Sequence, residues 1–344
     1  MLLSIDQANA RIAGNSPLII AGSRAALSAL KPGNWIGGSI PYFVTAEGGV
    51  CDQAKVYIDE LRIPAQRWFI KAYSSSSLKT IATDAFENGF SYVIIPANTA
   101  AHLEYAMHAP RYPDIFMKPV LGWISGVHLS DLARDTPVVV DGRTGRVLPE
   151  EAIVLHVELP DSLQAVVRTV NHFRQGDGPV VQFTEPGFSA STAQVNGRSV
   201  DLVRFMKDQD WDARHPLVAD YAGTNVNVSI KAIDGDANRV SFYAPVFPGV
   251  EYRMAAPVGD YVDSFSKHIP TGVDPLLSCN CILNYLYGDL EGRRTGPFKG
   301  PVTFGEIAHQ LLNQTLVYLE AVQIPSRLAR EGVEGPGTPE EVNS

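Results

Sequence analysis

Apolar runs of strand length, each closed by glycine or proline, recur along this chain and restrict it to a layered fold. Residues 17–21 lead into Gly22-Ser23, and residues 35–43 form a glycine-broken run, Trp-Ile-Gly-Gly-Ser-Ile-Pro-Tyr-Phe. Similar runs follow at 68–73, 92–96, 118–127, 138–140 and 179–183. Between them apolar residues return at helical spacing. Ser4 and Gln7 spell a capping box for a helix over 5–13, with Gly14 as a left-handed stop. Further helices are expected at 24–30, at 78–86 (Leu78, Ile81, Ala82, Ala85 and Phe86 on one face), and around Leu103 and Met107. Strand, helix and strand in succession is α/β grammar.

The spacing of Leu163, Val166, Val167, Val170 and Phe173 predicts another helix over 161–173. After Pro186 the pattern turns β-rich. Residues 225–233, the turn Asp234-Gly235-Asp236 and residues 240–244 read as a hairpin. A helix is expected at 258–268 and an apolar strand at 275–281. The stretch 306–322 has helical spacing, although its core, residues 315–319, suits a strand equally well.

At 344 residues the chain exceeds one ordinary core, and 45% apolar residues suffice for two. The expected fold is therefore α/β with two packed domains, each a mixed β-sheet flanked by helices. The division falls at 1–185 and 186–324, with a disordered tail at 325–344 rich in Arg, Glu, Gly and Pro. A net charge of -9 without a basic stripe excludes nucleic acid and anionic membrane as natural partners. Three cysteines and no basic-then-apolar leader point to the cytoplasm.

Few motifs carry chemistry. Cys279-Asn280-Cys281 lies on an expected strand, so both sulfurs share a face. One could act as a nucleophile or redox thiol near His268, Glu306 or His309, or both could be small core hydrophobes. Asp208, Asp210 and Asp212 open like a calcium loop, but Ala213 and Ala219 stand where glycine and glutamate are required. Glu104 and His108 form an i,i+4 pair that reads as a surface contact. His102, His128, His156 and His172 lack partners at ligand spacing, which leaves a single axial haem ligand open. Gly22-Ser23 could present free amides to an anion, but it lacks a nucleotide-binding pattern. No motif defines a catalytic activity.

Several stretches of the second half carry a resemblance: 195–201 (Val-Asn-Gly-Arg-Ser-Val-Asp), 247–254 (Phe-Pro-Gly-Val-Glu-Tyr-Arg-Met), Leu277-Ser278-Cys279, Phe304-Gly305-Glu306-Ile307 and Asn313-Gln314-Thr315. Their order resembles the C-terminal domain of FIST proteins, and residues 17–39 resemble the opening of the FIST N-terminal domain. That resemblance, to a divergent member, implies an intracellular sensory module for small ligands such as amino acids. Some FIST relatives bind haem. It also implies a separate signalling partner protein, because no output domain is visible. The candidate ligand-binding residues are Gly37, Gly38 and Ser39, Cys279 and Asn280, and Gly305 and Glu306. Glycines would let a ligand approach the backbone, Glu306 would fix an ammonium or donor group, and Asn280 offers both donor and acceptor. The rival readings are a cysteine-dependent enzyme using Cys279 or Cys281 and a non-catalytic adaptor.

Overall fold

A computed structural model describes residues 1–61, 65–221, 223–268, 270 and 272–324. The expected tail lies outside the described residues. The fold is mixed α/β but dominated by strands, 42% against 15% helix, so sheets rather than helices build most of its layers.

Three six-stranded sheets form the larger body. The first runs, in spatial order, Leu2–Leu3, Val56–Glu60, Leu18–Gly22, Trp35–Ser39, Val139–Asp141 and Arg146–Leu148. The second runs Gln310–Leu312, Glu306–Ala308, Val120–Ser125, Gly89–Pro96, Ala152–Glu158 and Trp68–Tyr73. The third runs Leu163–Val170, Leu316–Gln323, Leu277–Cys281, Gly300–Thr303, Tyr42–Val44 and Gly49–Cys51. Each contains one parallel pair, and each pair is joined through a helix: Arg24–Ser28, Ala100–His108 and Ile282–Tyr287 respectively. Parallel neighbours need a crossover, because a tight hairpin can only reverse the chain.

A fourth sheet (Arg198–Asp201, Thr192–Val195, Val181–Gln182, Tyr252–Met254, Leu217–Tyr221, Thr224–Val228) and a three-stranded fifth (Gly187–Ala190, Arg239–Val246, Ile230–Asp234) enclose their own core. That core, from Val181 and Phe183 through Met206 and Phe242 to Tyr252, draws only on residues between 181 and 254. The largest core instead joins Ile19 through Val170 to Leu277 through Leu319. Strands on both sides of residue 186 therefore share sheets: Glu306–Ala308 pairs with Val120–Ser125, and Gly300–Thr303 pairs with Tyr42–Val44.

Several local expectations need correction. Residues 161–173 are no helix; Leu163–Val170 is an antiparallel strand at a sheet edge, paired throughout with Leu316–Gln323. Residues 306–322 form three strands, with tight turns at His309 and Gln314, whose φ angles are 62° and 51°. The helix at 78–86 contracts to a 3₁₀ turn, Leu78–Thr80. Residues 35–43 split between two sheets at Ile40-Pro41. The Ser4–Gln7 capping box is present, but the helix ends on a right-handed Ala13 without a left-handed Gly14. The hairpin pairs Ile230–Asp234 with Arg239–Val246.

Candidate ligand site

The three segments expected to bind a ligand do meet, on the strand Val120–Ser125 and the residue after it. Gly126 donates its amide to Ser39 O at 2.7 Å, and Ile124 donates to Gly305 O at 2.8 Å. The Cys279 thiol donates to Gly122 O at 3.4 Å. The space between them is occupied by side chains. A Cβ on Gly38 would stand 2.6 Å from both Ile94 and the Trp123 ring, and one on Gly37 would stand 3.0 Å from the Trp35 ring. These glycines let aromatic rings close against the sheet. Ser39 is buried and turns its hydroxyl to accept the Val138 amide.

Glu306 is fully buried at the start of its strand. One carboxylate oxygen accepts the Thr315 hydroxyl at 2.9 Å and the Thr315 amide at 3.3 Å. Thr303 Oγ1 lies 3.3 Å from the other oxygen. Burial outweighs these bonds and pushes the carboxyl up to about 8. Cys279 and Cys281 are buried on the same strand, and burial, reinforced by Glu306, drives both thiols well above their ordinary range. A thiol nucleophile needs the opposite environment, electropositive and partly exposed.

From Glu306 the polar belt continues toward the 181–254 core. Asn280 Oδ1 accepts from its neighbour's amide and from Asn284, both at 2.9 Å, and Asn284 also donates to Thr315 O. Asn313 Oδ1 accepts both the amide and the hydroxyl of Ser229, and Asn227 donates to the carbonyls of Asn313 and Gln314. Buried amides earn their place only by such pairing. Among the described residues Asn280 Nδ2, Asn284 Oδ1 and Asn313 Nδ2 have no partner.

Beyond this belt lies a narrow cleft with room for about 30 Å³. Its one wall is the helix Ala100–His108, through Ala106, together with Pro110 and the strand Gln310–Leu312. The facing wall comes from Leu217–Tyr221, Thr224–Val228 and Arg239–Val246, with Phe247 and Tyr252. Two of these strands, Gln310–Leu312 and Thr224–Val228, are the outermost of their sheets, so the cleft opens where one sheet stops and another begins. Asn227 lines it and ties it to the polar belt. None of the residues expected from sequence lines this cleft; Cys279 and Asn280 instead border a smaller hollow of about 10 Å³ with Phe298 and Gly300. Tyr221, Asn227, Tyr252 and Gln310 gave no sequence signal, because they converge from elements far apart in the chain.

The remaining candidates sit elsewhere. Glu104 and His108 are 3.8 Å apart on the surface. Asp212 is bound by Arg214 at 2.7 Å, which holds its carboxyl down to about 2. Ser23 caps the helix Arg24–Ser28 through the Ala26 amide. His156 is buried with both ring nitrogens engaged, Nδ1 with Ser91 at 2.8 Å and Nε2 with Tyr73 at 2.9 Å, so it has no nitrogen for iron. Among the described residues no group of three or more His, Cys, Asp or Glu could hold a metal ion, and no helix is long and apolar enough to cross a membrane.

Comparison with known proteins corrects the FIST resemblance. The model of a family of unknown function, DUF6976, matches residues 3–322, the whole span on which that resemblance rested. The motifs behind it are short turn-and-strand words, which unrelated sheets also produce. No curated protein and no solved structure matches the chain.

Proposed function

The chain belongs to DUF6976, and since that family is one of unknown function, we propose from the geometry that it binds a small molecule in the cleft between Ala100–His108 and Thr224–Val228. The observation that carries this reading is the cleft itself, formed where edge strands of two sheets face each other and lined by apolar and aromatic side chains with a few polar groups. Concave, largely apolar sites with sparse polar groups are where small ligands are held.

We read the molecule as two lobes, one built on residues 181–254 and the other on the segments before and after it. Their separate cores support this division. A ligand in the cleft touches both lobes, and so can bias their relative position, which is what a sensory role requires. The free cysteines Cys51, Cys279 and Cys281 suit the reducing interior of a cell. The rise of both strand thiols weighs against the cysteine-enzyme alternative.

Native mass spectrometry of the protein purified without added ligand tests the reading. A retained small molecule is expected, and it should be lost when Tyr221→Ala and Gln310→Ala are combined. Retention unchanged by both substitutions would place the site elsewhere.

A further inference from the structure

Two asparagines are followed by glycine, at Asn88-Gly89 and Asn196-Gly197, and the fold treats them oppositely. Such a pair reacts without an enzyme when the glycine's backbone nitrogen, uncrowded by a Cβ, reaches the asparagine Cγ. Asn196 and Gly197 are the two loop residues of the hairpin that joins Thr192–Val195 to Arg198–Asp201. Both are exposed, and both adopt positive φ, 47° and 79°, as a two-residue hairpin loop demands. A Cβ placed on Gly197 would meet nothing within 4 Å. Asn196 Oδ1 accepts the Val180 amide at 3.0 Å, while its Nδ2, the leaving group, has no partner among the described residues. The Val180 N–H polarises the Cγ carbonyl and faces the oxygen that turns negative as Cγ is attacked.

Asn88 has the reverse arrangement. Its Nδ2 donates to the carbonyls of Leu159 and Pro160, at 3.2 and 3.1 Å, and to that of Leu163 at 3.1 Å. Gly89 opens the buried strand Gly89–Pro96, and a Cβ on it would stand 1.9 Å from Val157 O. The amide is anchored on one side and the glycine held in a ladder on the other.

We infer that Asn196 is a site of spontaneous deamidation in the folded protein, and that the fold protects Asn88 from the same reaction. Gly197 N bonds to Asn196 Cγ, the Cγ–Nδ2 bond breaks, and ammonia leaves with the proton of the Gly197 amide. Water then opens the cyclic imide. Opening at one carbonyl gives aspartate; opening at the other gives isoaspartate, whose main chain runs through Cβ and Cγ. The aspartate keeps an oxygen for the Val180 amide and places a carboxylate two residues from Arg198, so the hairpin survives. The isoaspartate lengthens the loop and breaks the reciprocal pair in which Asn196 N donates to Val180 O at 2.9 Å and Val180 N to Asn196 Oδ1. That form loosens Arg198–Asp201, the outermost strand of its sheet.

Peptide mapping by mass spectrometry after prolonged incubation at neutral pH tests the inference, with the full chain held either native or unfolded in urea. The unfolded chain should lose both asparagines. The native protein should lose Asn196, yielding aspartate and isoaspartate, and keep Asn88. Asn196→Gln, which would have to close a larger ring, should abolish ammonia release from the native protein while its melting temperature shows that it is folded. Native protein that keeps Asn196 while the unfolded chain loses it would overturn the inference. So would native loss of Asn88 at the pace of Asn196, or ammonia release undiminished in Asn196→Gln.

Discussion

Thr315 gives Glu306 two hydrogen bonds at a single carboxylate oxygen, its hydroxyl at 2.9 Å and its amide at 3.3 Å, nine residues along the chain. The bond partners are neutral, and no lysine, arginine or histidine is among the main influences on this carboxyl. A buried carboxyl with neutral company prefers its proton.

This preference predicts an unusual alkaline weakness. Glu306 rises from 4.5 to about 8 on folding, so between those values the native chain holds a proton that the unfolded chain has lost. Its contribution is fully present below pH 4.5 and gone above about 8, a loss of several kcal/mol at about 1.4 kcal/mol per unit. Urea unfolding at pH 6.5 and 9 should show it, and Glu306→Gln should flatten the decline.

The acid side has the opposite cause. Burial lowers His102, His156 and His172 from 6.5 to about 4, with His268 assisting at His172 and Lys231 at His102. The unfolded chain then binds protons that the native chain refuses, so stability is lost as pH falls from 6.5 to 4. Three histidines outweigh one glutamate where the windows overlap. The stability maximum should therefore lie near pH 6.5, as denaturation midpoints across pH 4–9 would show.

Tyr73→Phe should destabilise the fold by about 1–3 kcal/mol. Its hydroxyl donates to Asp84 at 2.9 Å and meets His156 Nε2 at the same distance, and removal leaves a buried imidazole nitrogen unpaired. Equilibrium unfolding measures the loss; Ser91→Ala should produce a similar one at Nδ1.

Gly38→Ala forces a methyl group to 2.6 Å from Ile94 and Trp123, where two sheets press together. Overpacking of this kind costs about 1–3 kcal/mol. A lower melting temperature with unchanged far-UV circular dichroism is expected.

How much of this was legible in the sequence depends on the range of the interaction. The Ser4–Gln7 box and the turn of the hairpin are decided within a few residues and could be read directly, but the expected strand 225–233 divides between two sheets as Thr224–Val228 and Ile230–Asp234. Leu163–Val170 misleads because its valines fall by coincidence at helical spacing. Only pairing with Leu316–Gln323, some 150 residues away, makes the segment a strand. The strand Leu277–Cys281 was legible, but its surroundings were not: whether its sulfurs met a hollow or a packed core depended on Gly122 and Glu306. Gln310 was hidden inside an expected helix, and the turns at His309 and Gln314 that expose it have no glycine to announce them.

Iodoacetamide should label Cys51 before the other two thiols in the native protein, since Cys51 is partly exposed while Cys279 and Cys281 are buried. Peptide mapping after brief and denaturing exposures separates them. Rapid native labelling of Cys281 would revive the cysteine-enzyme alternative.

Hydrogen exchange bears most directly on the cleft. The protein is stripped of bound molecules by unfolding and refolding, then measured with and without a protein-free small-molecule extract of its host cells. Amides of Thr224–Val228 and Gln310–Leu312 should exchange more slowly when the extract is present, while Trp35–Ser39 should be unaffected. Identical exchange in both strands under the two conditions would contradict a ligand held between them.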